Sequence, residues 1–305
     1  MIRVSIAILH FGEISTTLEC LKSLKKMNLG AIELSVLVIN NDLRVEFPEE
    51  LSNVEDKFKI KVINNEKNTG FSGGHNQGFN YALRSNSDYH VVLNNDVVAD
   101  RNLIKELIKI FEKNEKAGAV SPTIYFTKGH EFHKDRYEKK DLGKVIWYAG
   151  GIIDWANLIN KHRGVDDVDK GQFDKDEETD FATGACMMVP VEVIKTVGKF
   201  DDRYFLYYED GDLNMRIKKG GYKVFYAHKA KLWHNNAASS SSGSDLQDYY
   251  ISRNRMLFGM SYAPFRTKFA LIRESFKILR NGRKWQKKGV MDYFLKRFGK
   301  GSYPI

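Results

Sequence analysis

The sequence predicts an α/β protein, with a mostly parallel central sheet flanked by helices and a basic helical extension at the C-terminus. Three observations carry this. Arg3–Leu9, Leu34–Ile39 and Tyr89–Leu93 are continuous apolar runs of strand length, as expected of strands buried on both faces. Amphipathic helical patterns alternate with them, which is the order of a doubly wound sheet. The positive charge is confined to one end of the chain.

The elements follow in order. Arg3–Leu9 is the first strand. Ser15 and Thr16 open a helix, with Thr16 and Glu19 spaced as a capping box and Leu18, Leu21 and Leu24 on one face. Leu34–Ile39 and Lys59–Ile63 are the second and third strands. Gly78–Arg84 is helical, and Tyr89–Leu93 is the fourth strand. Asp100 caps a helix whose apolar positions are Leu103, Ile104, Leu107, Ile108 and Phe111. Further on, Leu213–Lys219 is helical and Lys223–Tyr226 is a strand. A second short strand ends at His234. The charge-rich stretches 128–141 and 165–180 read as solvated excursions around a short element holding Trp147, Gly150 and Gly151. The run Ser239–Ser244 reads as a linker or a mobile lid.

The 305 residues are 42% hydrophobic and 29% charged, a globular balance that excludes wholesale disorder. No apolar stretch is long enough to span a bilayer. The first residues read as a buried strand rather than a signal peptide. Two cysteines, Cys20 and Cys186, make no disulfide framework and point to a reducing cytosol. The net charge is +9. Residues 261–305 hold twelve Lys/Arg against Glu274 and Asp292, a balance of +10, so the rest of the chain sums to −1. A nearly neutral body disfavours nucleic acid as a partner. A basic tail favours an anionic surface.

In open α/β sheets, ligands sit beyond the carboxyl ends of the strands, and here those ends are polar. His10 and Phe11 follow the first strand, Asn40-Asn41-Asp42 the second, Asn64 through Asn76 the third, and Asn94-Asn95-Asp96 the fourth. Gly70-Phe-Ser-Gly-Gly suits close backbone approach to an anion ahead of a helix, or is only a structural turn. It matches neither the dinucleotide fingerprint nor the P-loop. Asp96 suits a divalent cation that bridges phosphate oxygens, or is a turn aspartate. Glu209-Asp210-Gly211-Asp212 follows Tyr204-Phe-Leu-Tyr-Tyr. Carboxyls beside apolar rings suit base chemistry, and acids also stabilise a helix start. His234 is a structural histidine or a third metal ligand.

In order, these segments resemble the family 2 glycosyltransferases of the GT-A fold, in particular their rhamnosyltransferase and galactofuranosyltransferase-like branch. The matching text is VSIAILHFG, VLVINND, NTGFSGGHNQGFNYAL, VVLNND, FATGACMMVPVEVIKTVGKFDDRYFLYYEDGDLNMRIKKGGY and LWHNN, within residues 2–260. The resemblance implies a nucleotide-sugar-binding half (1–125), an acceptor-binding and catalytic half (126–245) and a helical basic extension (246–305). It implies that His10, Phe11, Asp42, Asn68, Gly70, Gly74, Asn76 and Asn95 surround the donor nucleotide. Asp96, at the end of an Asp-x-Asp-like motif with Asn94 in its first position, and His234 hold a divalent metal, Mg²⁺ or Mn²⁺. Asp210 is the catalytic base beside Glu209. Trp147, Gly184, Ala185 and Asp212 lie on the acceptor side. The implied reaction is inverting transfer from a nucleoside-diphosphate sugar, dTDP-rhamnose or a UDP-sugar, to a glycan or lipid-linked saccharide in cell-surface polysaccharide synthesis.

After the apolar run Met256–Phe265, residues Phe269, Ile272, Phe276 and Leu279 recur at helical spacing among Arg and Lys. A helix of that kind lies in an anionic membrane interface, or packs on the body with a solvated basic face. The first reading places the protein on the cytoplasmic face of the cell membrane. Two other functional classes share these parts: a metal-dependent nucleotidyl- or phosphotransferase, and a non-enzymatic carbohydrate- or polyanion-binding module.

Overall fold

The computed structural model describes residues 1–47, 58–235 and 244–304. Among them lie twelve strands and eight α-helices. The apolar runs become β1 (Ile2–His10), β2 (Ile32–Asn40), β3 (Lys59–Asn64) and β4 (Tyr89–Asn94). They pair in parallel in the order β4-β1-β2-β3. Helices α1 (Ile14–Lys25), α2 (Gly70–Arg84) and α3 (Leu103–Lys113) cover the sheet. Beyond β4 the sheet turns mixed. Antiparallel β11 (Cys186–Pro190) joins β4 to β6 (Ala117–Phe126), and β6 runs parallel to β12 (Lys223–His234). Short strands β5 (Val97–Ala99), β7 (Ile146–Tyr148) and β10 (Glu177–Glu178) edge this half. The hairpin of β8 (Gly151–Asp154) and β9 (Ile159–His162) stands apart from the main sheet. Helices α4 (Val191–Val197) and α5 (Glu209–Lys219) follow β11.

Several local expectations are corrected. Thr16 and Glu19 form no capping box: α1 begins at Ile14, and the Thr16 hydroxyl donates to the Glu13 carbonyl at 2.7 Å. The glycine run is not a loop ahead of a helix but the first turns of α2, which starts eight residues earlier than its apolar spacing indicates. Gly70 enters it at φ +71°. The Asp100 carboxylate receives the Asn102 N–H at 2.8 Å, so it stabilises the turn ahead of α3. The two short strands before His234 are one strand, β12, with an irregularity between Ala227 and Lys231. In the charged stretch 128–141, Glu131 is buried and accepts the N–H groups of Gly129 and Gly143 at 2.8 and 2.7 Å. Of the serine-rich run, residues 239–243 lie outside the described residues; Ser244 caps the helix that follows.

The C-terminal segment forms α6 (Asp245–Tyr262), α7 (Phe265–Asn281) and α8 (Lys284–Phe294). It is fastened to the body by Arg253, which is fully buried. Its guanidinium donates to the carbonyls of Tyr204 (2.8 Å), Arg203 (3.1 Å) and Gly299 (2.7 Å). Buried donors that find carbonyls in this way avoid a large desolvation cost. No described helix is long and apolar enough to cross a membrane.

Candidate active site

The polar strand ends meet at one rim of the sheet. The parallel register sets His10 opposite Asn40, and Asn40 opposite Asn64. His10 Nδ1 lies 2.7 Å from the Thr17 hydroxyl, and burial lowers its pKa against the opposing pull of Asp42. Asp42 accepts the Gly12 N–H at 3.0 Å and is gripped by Arg44 through Nε and Nη2. These bonds hold its carboxyl well below the ordinary range. Phe11 is exposed, and the Arg44 guanidinium sits 5.6 Å from its ring centre. A ring, a carboxylate and buried polar atoms at this rim suit a nucleoside. Asn95 Nδ2 donates to Thr17 Oγ1 at 3.0 Å and so joins this wall.

The donor-loop candidates take different positions. Asn68 Oδ1 accepts from the Gly70 N–H (2.8 Å) and from Asn41 Nδ2 (3.0 Å). A Cβ at Gly70 would lie 2.5 Å from the Phe205 carbonyl, and at Gly74 2.3 Å from a Leu9 methyl. Gly74 thus lets α2 approach β1. Gly70 lets it approach the segment that leads to Glu209. The Asn76 amide bridges Phe200 N–H, Phe200 C=O and Asp202 Oδ1.

Asp96 and His234 are brought together by sheet register. Val97, the first residue of β5, pairs with His234, the last of β12, so Asp96 Oδ1 lies 3.3 Å from His234 Nε2. Asn94 Nδ2 lies 3.2 Å from the same nitrogen. Trp147 stacks on the His234 ring at 4.8 Å and 16°, and His162 meets the Trp147 ring edge-on at 4.2 Å. Burial depresses the His234 pKa, against the pull of Asp96, and burial brings His162 to about 4. The His234 ring is therefore neutral near pH 7, as a metal-ligating imidazole must be. Asp96 Oδ1 is buried without a hydrogen-bond partner. An unpaired carboxylate oxygen facing a neutral imidazole nitrogen fits a divalent cation, and diphosphate oxygens and water would supply its remaining ligands. Among the described residues, no three His, Cys, Asp or Glu side chains gather as a closed metal cage.

Asp210 stands across the same strand ends. Its Oδ2 accepts the Gly184 N–H at 3.1 Å and its Oδ1 the Gly211 N–H at 2.7 Å. The next residue, Ala185, accepts the Asn94 N–H at 3.0 Å. One run of contacts therefore leads from Asp210 through Gly184 and Ala185 to Asn94, beside Asp96 and His234. Burial raises the Asp210 pKa, partly opposed by those two N–H groups. Burial and the neighbouring Asp210 charge push Glu209 well above the ordinary carboxyl value. A carboxyl tuned upward and open to a cleft suits proton abstraction. Asp212 points elsewhere: it is buried and bonded by Tyr262 Oη (2.6 Å) and Arg216 Nε (2.8 Å).

The approach to this pair is strained. Phe205, Tyr207 and Tyr208 all have φ near +70°, a region costly for large side chains and common at functional sites. Asn254 of α6 holds the segment, its Nδ2 donating to the carbonyls of Tyr204, Leu206 and Tyr207 at 2.7–2.9 Å. Sequence reasoning missed Asn254, Arg253 and His162. Arg253 and Asn254 lie between Ser252 and Arg255 in a polar run, so nothing in the sequence marked them as buried.

A family model described as "Glycosyltransferase like family 2" matches residues 3–259. The low-salt glycan biosynthesis hexosyltransferase Agl10 of Haloferax volcanii is 26% identical over 200 residues, 65% of this chain and 59% of its own. The N-acetylglucosaminyl-diphospho-decaprenol L-rhamnosyltransferase of Mycobacterium tuberculosis is 26% identical over 175 residues, 56% of this chain and 54% of its own. The matched region thus spans little more than half the length of these relatives. Two solved structures share the fold. GalNAc-T7 with UDP, GalNAc and Mn²⁺ has a TM-score of 0.57 at 15% identity, covering 99% of this chain and 58% of that one. The Pyrobaculum calidifontis mannosyltransferase PcManGT with GDP-Man and Mn²⁺ has a TM-score of 0.51 at 14% identity, covering 99% and 76%. The mixed sheet with its polar rim is the GT-A fold, and the chain belongs to glycosyltransferase family 2.

Proposed function

We propose that the protein is an inverting glycosyltransferase that moves a sugar from a nucleoside-diphosphate donor, dTDP-rhamnose or a UDP-sugar, to a glycan or lipid-linked saccharide. The observation that carries the reading is the meeting at one rim of Asp96 with His234 and of Asp210 with Gly184. The relatives act in glycan and lipid-linked saccharide synthesis by name, and both structural neighbours hold a nucleotide and Mn²⁺. Phe11, Asp42 and Asn95 form the nucleoside wall, and Asp96 and His234 would hold Mg²⁺ or Mn²⁺. Such a cation, when bound, neutralises charge on the departing diphosphate. Asp210, aligned by its two backbone N–H bonds, takes the acceptor hydroxyl proton. The acceptor oxygen bonds to the anomeric carbon as its bond to the diphosphate breaks on the opposite face, which inverts the centre. Base catalysis of this kind supplies about 10²–10⁴-fold.

A membrane partner is part of the reading. On α7 the packed side chains are Leu271 and Ser275, while Phe265, Phe269 and Phe276 are 83%, 67% and 62% exposed among arginines and lysines. Of the stripe read from the sequence, Phe269 and Phe276 therefore face outward, while Ile272 and Leu279 are half-buried. Phenylalanines flanked by cations match an anionic lipid surface, and this supports the reading of an enzyme that works on the cytoplasmic face beside a lipid-linked acceptor.

The test is product analysis with a panel of nucleotide sugars and Mn²⁺ or Mg²⁺. Glycosylated product together with nucleoside diphosphate is expected. Release of pyrophosphate would indicate a nucleotidyltransferase instead. Asp210→Asn is expected to abolish transfer while nucleotide binding survives; wild-type turnover in that variant would remove Asp210 as the base.

A further inference from the structure

A cleft of about 660 Å³ opens over Glu209 and Asp210, a size ordinary for a small-molecule site. Its walls come from segments far apart in the chain. The β8–β9 hairpin contributes Asn157 and Asn160, α6 contributes Arg255, and α7 contributes Glu274. Two polar atoms on this lining are buried without partners, Asn160 Oδ1 and Glu209 Oε2, so each is an acceptor that a bound hydroxyl satisfies. Arg255 is already engaged. Its Nη1 and Nη2 both donate to the Glu274 carboxylate at 2.8 Å, and its Nε donates to the Asn157 carbonyl at 3.1 Å. The guanidinium therefore ties the hairpin to α7 and has its charge met by Glu274.

We infer that this cleft is the acceptor-sugar subsite, that Asn160 hydrogen-bonds an acceptor hydroxyl, and that the Arg255–Glu274 pair restricts the subsite to uncharged sugars. The inference rests on the transferase reading above and specifies its acceptor. Three carboxyls line the cleft against one guanidinium that is bound fork to fork. A uronate entering it meets Glu274 and Asp210 at short range with no free cation among the described lining residues to pair with, whereas a neutral hexose meets acceptors for its hydroxyls. Rejection of the wrong charge is the larger part of such selectivity. Arg255 acts here as a positioning residue, through Glu274 and the hairpin. The C-terminal helices thus complete the substrate site as well as bearing the exposed face of α7.

The experiment uses the full chain, a panel of nucleoside-diphosphate sugars, and octyl glycosides in pairs that differ at C6: β-glucoside with β-glucuronide, and β-galactoside with β-galacturonide. Where neither member of a pair is glycosylated, inhibition of donor hydrolysis by each is read instead. Wild type is expected to favour the neutral member by about tenfold or more. Glu274→Gln, which keeps the shape and frees the guanidinium, is expected to reduce that ratio about tenfold. Asn160→Ala is expected to raise acceptor KM by more than it lowers kcat. Equal use of both members by wild type, an unchanged ratio in Glu274→Gln, or an unchanged acceptor KM in Asn160→Ala overturns the inference. Failure of wild type to release nucleoside diphosphate from any donor refutes the transferase reading instead.

Discussion

Asn254→Ala tests whether α6 sets the geometry of the catalytic pair. Asn254 is fully buried, and its amide nitrogen serves three carbonyls within Tyr204–Tyr207. A net hydrogen bond contributes about 1 kcal/mol, so losing this set costs about 2–3 kcal/mol. For a chain of 305 residues that corresponds to a Tm lower by about 3–5 °C. The catalytic effect should exceed this. Each left-handed residue with a large side chain costs about 1–2 kcal/mol, and Phe205, Tyr207 and Tyr208 are three of them immediately before Glu209. Released from Asn254, the segment relaxes and displaces Asp210, and a misplacement of about 1 Å costs about 10²-fold in rate. Nucleotide affinity should persist, because Asp42 and Asp96 follow β2 and β4. The assays are thermal unfolding, nucleotide binding and kcat, the last measured well below the variant's Tm. A variant with lowered Tm but wild-type kcat would show that Asn254 only stabilises the fold and would refute the positioning argument.

Three further outcomes are expected. Glu209 holds its proton to higher pH in the folded state than in the unfolded chain, so its contribution to stability falls as pH rises above the unfolded value of about 4.3. Glu209→Gln, which mimics the protonated form, should raise Tm at pH ~8 and leave it unchanged at pH ~4; equal gains at both would contradict the shift. Asp96→Ala should abolish the difference that EDTA makes to the thermal shift given by UDP or dTDP with Mn²⁺, because the unpaired Asp96 oxygen is the metal's carboxylate in this reading. A surviving EDTA effect would place the metal elsewhere. Replacing Phe265, Phe269 and Phe276 with Ser should release the protein from vesicles containing anionic lipid and leave transfer to a soluble acceptor intact. Undiminished vesicle binding would remove α7 as the contact.

The parallel core was legible because its signal is local. β1, β2 and β4 are apolar runs buried on both faces, and the polar residues that end them needed only strand direction to be placed at one rim. α3 was legible from the spacing of its apolar face. α2 was read short because glycines carry no apolar signal, although here they allow the close packing that lets the helix begin at Gly70. The exposed Phe269 and Phe276 of α7 share one periodicity with the half-buried Ile272 and Leu279, since spacing alone does not say which residues meet the body.

By itself the sequence determined which side chains were available for chemistry and which strands were buried, because apolar period and residue type are properties of short segments. Only the tertiary structure decided who meets whom. Asp96 and His234 touch because β5 and β12 pair at their ends. The left-handed turn before Asp210 persists because Asn254, more than forty residues later, holds its carbonyls. Hydrogen bonds between remote segments depend on how the layers pack, and no window along the chain contains that information.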